Sequence, residues 1–395
     1  MPRPNPQTVA VRSALESDSQ HGAVVPPLHL STNYTFSAFN EKRTYDYSRS
    51  GNPTRDALAS ALAELEGGAG CVVTASGMSA ILLVCQQLNP GDLLLAPHDC
   101  YGGSYRLFES LAARGRFRVQ FIDQNDTEAL DRALAERPKL VWVETPSNPL
   151  LRIVDLAAVA EAAHAAGALV AADNTFLSPA LQTPLALGAD IVVHSTTKYL
   201  NGHSDVIGGA VISADRAVHD SMADWANTLG LTGGAFDSYL TLRGVRTLFP
   251  RMRQHESNAS QVAAALVAHP AVQAVYYPGL ATHPGHALAA RQQRGFGGMV
   301  SFEVAGDETA LRCVLEGLSL FSLAESLGGV ESLVCHPATM THAAMDPDAR
   351  RTAGISDRLV RLSLGAEAGD DLVADLLGAL DRALAAASTP THRQG

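Results

Sequence analysis

The chain has 395 residues, 46% of them apolar, and its 40 acidic against 29 basic residues leave a net charge of −11. That length and apolar content suffice for a large core divided between two domains, which excludes disorder as the bulk state. The basic residues are scattered, without a Lys/Arg cluster or an aromatic-interleaved basic stripe, so nucleic acid and anionic membrane are poor partners and neither is expected.

Met1 to Asp18 holds Pro, Arg and polar residues where a signal peptide needs an apolar run, so residence in the cytosol is expected. The first fifty or so residues lack strong periodicity and are expected to pack on another surface. Helical spacing runs from Pro53 to Glu66 and stops at Gly67-Gly68. Strand runs then recur over Cys71 to Thr74, Leu93 to Ala96, Val119 to Ile122, Leu140 to Glu144, Leu169 to Asp173 and Ile191 to Ser195. Most are continuous apolar runs, the pattern of a strand covered on both faces. The segments Met78 to Leu88, Asp126 to Glu136 and Asp155 to Ala166 read as helices between them, the last two as crossovers, giving an α/β fold with a mostly parallel sheet. Leu156 to Ala172 is the longest apolar stretch, but Glu161 and His164 interrupt it, so it reads as helix plus strand and not as a membrane span. After about Leu248 the pattern changes to a long helix, Met252 to Ala268, short strands and a terminal helix, Asp371 to Ala386, followed by a loose tail from Ser388. Three parts are expected: an arm over 1–55, a large domain over 56–248 and a smaller α+β domain over 249–395.

The five cysteines, Cys71, Cys85, Cys100, Cys313 and Cys335, are an odd number without a C-x-x-C pair. Neither a disulfide framework nor a structural zinc site is expected, and buried thiols are the reading. His336 and His342 lack the spacing and carboxylate partner of a metal pair, so no metal is expected.

Ligands of open α/β sheets sit outside the carboxyl ends of the strands, and those ends carry Ser76-Gly77, Asn148, Asp173 and Ser195-Thr196-Thr197-Lys198. Lys198 follows hydroxyl residues directly at a strand end. Burial and a nearby cationic ring would make its amine a nucleophile toward an aldehyde, while the Ser195 and Thr197 hydroxyls could bind phosphate; the alternative is a solvated surface lysine. Asp173 closes a buried strand, and a protonated pyridine nitrogen would compensate its charge; the alternative is a cap for the next helix. Gly77 and Met78 open a helix whose free N–H groups suit a phosphate. Tyr101 is either a ring stacked on a cofactor or an ordinary core or rim tyrosine. No G-x-G-x-x-G follows a strand, which lowers a nicotinamide dehydrogenase reading.

The lysine segment, Ser76-Gly-Met, Pro97-His-Asp-Cys-Tyr-Gly-Gly-Ser-Tyr-Arg-Leu-Phe, Glu144-Thr-Pro-Ser-Asn-Pro and Leu323-Ala-Glu-Ser-Leu-Gly-Gly-Val-Glu-Ser-Leu together resemble the Cys/Met-metabolism family of fold-type I pyridoxal 5'-phosphate (PLP) enzymes over essentially the whole chain. Asp46-Tyr-Ser-Arg49 and Thr232-Gly-Gly-Ala-Phe-Asp-Ser-Tyr239 are most similar to members that join O-succinylhomoserine to cysteine. Gly103, where methionine γ-lyases place cysteine, and Glu325, where cystathionine β-lyases place an aromatic, disfavour those relatives.

The resemblance implies γ-replacement in methionine biosynthesis by transsulfuration. A donor amine displaces Lys198, protons leave Cα and Cβ, succinate departs from Cγ and the thiolate of cysteine adds there. It implies Lys198 as Schiff base and proton shuttle, Asp173 as pyridinium partner and Tyr101 as the stacked ring. It assigns the phosphate to Gly77, Met78, Ser195 and Thr197, with Tyr47 and Arg49 from a neighbouring subunit. The substrate's α-carboxylate falls to Asn148 and Arg361 with support from Ser326, the amino group of cysteine to Glu325, and the distal carboxylate to Arg106. The implied partners are amino-acid substrates and further copies of the chain, in a tetramer of two catalytic dimers. Ser50 stands where some members carry a second Arg, which keeps an acetylated donor open. Members that cleave cystathionine to cysteine, 2-oxobutanoate and ammonia share Lys198, Asp173, Tyr101 and Glu325.

Overall fold

A computed structural model describes residues 4–343 and 345–388. The tail expected from Ser388 lies, apart from that residue, outside the described residues. The helix Pro53–Glu66, which follows a short helix at Pro6–Arg12 in the large unit, can be read directly from its ends. Asn52 accepts hydrogen bonds from the N–H groups of Thr54 and Arg55, Pro53 fills the first turn, and Gly67 closes the helix in the left-handed region at φ 81°. Leu58, Ala61, Leu62 and Leu65 form its buried stripe.

The chain divides into two units. The first comprises Met1–Pro97, Leu107–Glu144 and Asp155–Pro250. Its sheet has seven strands: β1 Gly70–Thr74, β2 Leu93–Pro97, β3 Arg118–Ile122, β4 Leu140–Glu144, β5 Leu169–Asp173, β6 Ile191–His194 and β7 Gly209–Ser213. Their order is β1-β7-β6-β5-β4-β2-β3, parallel from β6 through β3, with β7 antiparallel to both neighbours. Six of these strands follow from the apolar runs. β7 does not, although it lies inside the sheet, because a glycine pair opens a run of only a few apolar residues. Those glycines answer a crowding requirement, since a Cβ on Gly208 would strike the Thr196 hydroxyl and one on Gly209 the Ser76 carbonyl. The Gly77–Cys85 helix stops short of the expected Leu88. Its last turn tightens, with the N–H groups of Gln86, Gln87 and Leu88 each bonding three residues back, ahead of Asn89-Pro90. In the core, Trp142 is fully buried edge-on to Phe108 and donates its Nε1–H to Glu144 at 3.0 Å.

The second unit comprises Arg251–Gly395 with two excursions from earlier in the chain, His98–Arg106 and Thr145–Val154. The sequence reading runs the large domain from 56 to 248 without these interruptions. The excursions belong to the second unit through side-chain bonds that no local pattern encodes. Ser147 donates to Asp99 at 2.7 Å, Arg152 donates to the Ala353 carbonyl at 3.0 Å, and Ser301 donates to the Pro149 carbonyl at 2.7 Å. Leu150 joins Met345, Ala353, Ile355 and Leu359 in an apolar cluster. The unit's sheet, in the order β10-β11-β12-β9-β8, is built from β8 Val272–Tyr276, β9 Met299–Val304, β10 Ser322–Leu323, β11 Leu333–Cys335 and β12 Leu359–Ser363. It shares one core with the helices Leu248–Val267, Glu308–Gly317 and Gly369–Ser388. No helix among the described residues is long and apolar enough to cross a membrane.

Candidate active site

In the first unit, functional side chains collect where β1, β5 and β6 end. Ser76 caps the Gly77–Cys85 helix by accepting from the Ser79 N–H. The N–H groups of Gly77 and Met78 therefore stand in the first helical turn, where an anion is favoured. A Cβ on Gly77 would lie 2.8 Å from the Ser195 Cβ, so only glycine lets the two turns come this close. Ser195 and Lys198 are partly buried, and the Lys198 N–H bonds the Ser195 carbonyl at 3.2 Å, winding the segment into a turn. The Thr197 hydroxyl exchanges two bonds with Gly208, accepting from its N–H at 3.0 Å and donating to its carbonyl at 3.2 Å. This closes the loop that leads into β7.

Asp173 ends β5 and accepts from the Thr175 N–H at 2.9 Å. It does not cap the next helix, Ser178–Leu181, whose N-cap position is Leu177. Burial pushes its carboxyl above the usual carboxylate range, while its hydrogen bonds with Thr175 and the charge of His194 pull the other way. Among the described residues no Lys or Arg forms an ion pair with it. Thr175 also accepts from the Ser195 N–H at 2.9 Å, tying the carboxylate strand to the lysine turn. Tyr47 and Arg49 lie exposed in the N-terminal arm; Arg49 donates to Asn227 at 3.1 Å and stands 5.5 Å from the centre of the Tyr47 ring. Ser50 donates to Tyr47 and Asp46 nearby.

The second unit places Arg361 on β12, 3% exposed. Its two terminal nitrogens donate to the Asn148 side chain and the Ser326 carbonyl, each at 2.9 Å. Asn148 stands between Pro146 and Pro149, both preceded by cis peptide bonds, and Ser326 has a left-handed backbone at φ 88°. No carboxylate of the described residues forms an ion pair with Arg361, so the buried guanidinium suits an acidic ligand. His342 is buried, and burial first, then the charge of Arg361, push its imidazole down to about 4. Tyr101, Arg106 and Glu325 are exposed, and the Tyr101 carbonyl accepts from the Tyr105 N–H. His336 bonds Thr339 and the Asp357 carbonyl, and no cluster of metal-ligating side chains occurs among the described residues. All five cysteines are free thiols.

Two residues that the sequence reading left out complete the first unit's cluster. Glu66 and His194 are both buried, and the His194 Nε2 lies 2.7 Å from the Glu66 carboxylate. Their signal in the sequence is slight: His194 closes the apolar run Ile-Val-Val, and Glu66 closes a helix just before Gly67.

A lysine on a strand-end turn, an anion seat at a helix start and a partly buried strand-end carboxylate define a PLP enzyme of fold type I. Residues 7–381 match the model of the Cys/Met metabolism PLP-dependent enzyme family, and the chain belongs to that family. Its cofactor is pyridoxal 5'-phosphate. The cradle fits that group, because Gly77 lets the helix start pack directly against the Ser195 turn, bringing free N–H groups and a hydroxyl together for a phosphate, and Asp173 offers a carboxylate for a cationic ring. The chain is 63% identical to a cystathionine γ-synthase of Escherichia coli over 93% of this chain and 96% of the relative. A crystal structure of cystathionine γ-synthase from Xanthomonas oryzae pv. oryzae, in complex with cystathionine, is 60% identical with a TM-score of 0.96, covering 97% of this chain and 99% of that one. A cystathionine β-lyase of Coxiella burnetii is 46% identical over 94% of this chain and 97% of the relative.

Proposed function

We propose that the enzyme joins O-succinylhomoserine to cysteine by γ-replacement, releasing succinate and forming cystathionine, as a cytoplasmic step of methionine biosynthesis by transsulfuration. The observation that carries this reading is the 63% identity to the E. coli cystathionine γ-synthase over nearly the whole chain. PLP supplies an electron sink for a carbanion at the substrate's Cα. Lys198 would hold the cofactor through its amine and would move protons at the substrate's Cα and Cβ, with Tyr101 as stacked ring and second base. Asp173 would pair with the ring nitrogen and favour its protonated form. Gly77, Met78, Ser195 and Thr197 would bind the phosphate, joined by Tyr47 and Arg49 of a neighbouring copy. Arg361 and Asn148 hold the α-carboxylate with support from Ser326, Glu325 meets the amino group of cysteine, and Arg106 meets the distal carboxylate.

The exposed arm supports assembly into a tetramer of two catalytic dimers: between Val24 and Tyr47 it carries no helix or named strand and exposes Leu30, Phe36 and Phe39, the last at 93%. Product analysis with O-succinylhomoserine tests the function, run with and without cysteine beside O-acetylhomoserine and cystathionine. Cystathionine is the expected main product, with slower elimination to 2-oxobutanoate when cysteine is absent. Faster cleavage of cystathionine than its synthesis would overturn the reading, and a preference for the acetylated donor would overturn the succinyl assignment.

A further inference from the structure

The end of the Pro53–Glu66 helix carries a buried acid beneath the cofactor cradle. One oxygen of Glu66, Oε1, meets two groups, His194 Nε2 at 2.7 Å and the Asn174 side-chain N–H at 2.8 Å. His194 is the last residue of β6, directly before Ser195, and Asn174 directly follows Asp173. A single carboxylate thus reaches the ends of both strands that carry Asp173 and the lysine turn. The Asn174 side chain is held from its other side by Gln182, which donates to Asn174 Oδ1 at 3.1 Å, while Asn174 donates to the Gln182 carbonyl at 2.9 Å. The side chains of Glu66 and His194 are 0% and 1% exposed, so their bond is unscreened by solvent.

The groups facing this pair are few. Asp173 lies on the β5 side, and Cys71 on β1 has its thiol driven upward by burial first and then by the charge of Glu66. The charge of His194 favours ionised Asp173, opposing the burial that disfavours it. A buried imidazole has two ring nitrogens, and the partner of one decides what the other presents.

We infer that Glu66, acting through His194, is a positioning residue that keeps the Asp173 carboxylate charged toward the ring nitrogen of the cofactor. This rests on the pairing of Asp173 with that nitrogen proposed above. Glu66→Gln keeps the shape and one acceptor oxygen but removes the charge that orients His194.

The test reconstitutes wild type, Glu66→Gln and Asp173→Asn with PLP labelled with ¹⁵N in the ring, and reads the ring-nitrogen chemical shift at fixed pH. In Glu66→Gln the shift is expected to move from the pyridinium toward the neutral value, with PLP held about tenfold more weakly, the equivalent of one pKa unit in the carboxylate. A merely structural role would lower the melting temperature and leave the shift where it is. An unmoved shift in Glu66→Gln beside a moved one in Asp173→Asn overturns the inference and leaves the Asp173 pairing standing. An unmoved shift in both overturns that pairing and the inference with it. Should Glu66→Gln fail to fold, His194→Gln, which keeps a donor for Glu66 but cannot carry charge, is expected to move the shift the same way, and an unmoved shift there overturns the inference equally.

Discussion

Arg361→Lys separates recognition of the donor's carboxylate from binding of the cofactor. The guanidinium reaches two acceptors at 2.9 Å from different nitrogens, the Asn148 side chain and the Ser326 carbonyl, and this fork sets its plane within a strand that is buried throughout. An ammonium keeps the charge but has one nitrogen, so it cannot hold both acceptors and present a paired face to a carboxylate. A hydrogen bond to a charged group contributes about 1.5–3 kcal/mol, and losing one arm of the fork therefore costs about 10- to 150-fold in kcat/KM for the donor. The assay is steady-state kinetics with varied O-succinylhomoserine at saturating cysteine, beside the absorption spectrum of the bound cofactor. The expected pattern is a raised KM with an unaltered cofactor band. An unchanged KM for the donor would refute carboxylate binding by Arg361; a lost band would mean that the substitution disrupts more than the substrate's seat.

Lys198→Ala is expected to lose the cofactor's imine absorption and its turnover together, and a variant with normal turnover sinks the lysine assignment. Because burial and Arg361 push His342 down to about 4 from an ordinary value of 6.5, the unfolded chain takes up a proton between these pH values while the folded one does not. The native state is at its full margin above pH 6.5 and loses about 3 kcal/mol through this one group as pH falls to about 4. Urea unfolding of His342→Gln at fixed protein concentration should show a shallower loss between pH 6.5 and pH 4, and an identical slope would count against it. Burial drives the thiols of Cys71, Cys85 and Cys335 upward, Cys85 to about 12, so a thiol reagent should titrate Cys313, the one cysteine that is not buried, far faster than the rest; five fast thiols in the native protein would contradict the burial. Mixing Arg49→Ala with Lys198→Ala under subunit exchange should restore part of the activity, since one site of an isologous mixed dimer then carries neither lesion. Exchange verified by mass without any return of activity places Arg49 in its own subunit's site.

Local chemistry explains which parts of this molecule could be read in advance. The Pro53–Glu66 helix carries its own start and stop in Asn52, Pro53 and Gly67, and strands covered on both faces declare themselves as apolar runs. β7 was illegible because its position depends on what passes beside Gly208 and Gly209, the Thr196 hydroxyl of the preceding turn and the Ser76 carbonyl, the latter far away in sequence. The same holds for the excursions around Tyr101 and Asn148. Ser147 meets Asp99 across 48 positions and Arg152 meets Ala353 across 201, and no periodicity records a bond of that span.

The polar residues were unequally legible for a related reason. Asp173 ends a strand and Lys198 stands in the turn just after one, where a charged group beside an apolar run invites a chemical explanation. Glu66 ends a helix just as abruptly, yet a glutamate in a last helical turn is ordinary when exposed, and only its contact with His194 across 128 positions reveals that it is buried. An acid with no solvent must be answered by another group. In this fold the answer comes from the strand that delivers the lysine turn, so the requirement to satisfy one buried carboxylate also couples the helix before the sheet to the two strand ends on which the cofactor depends.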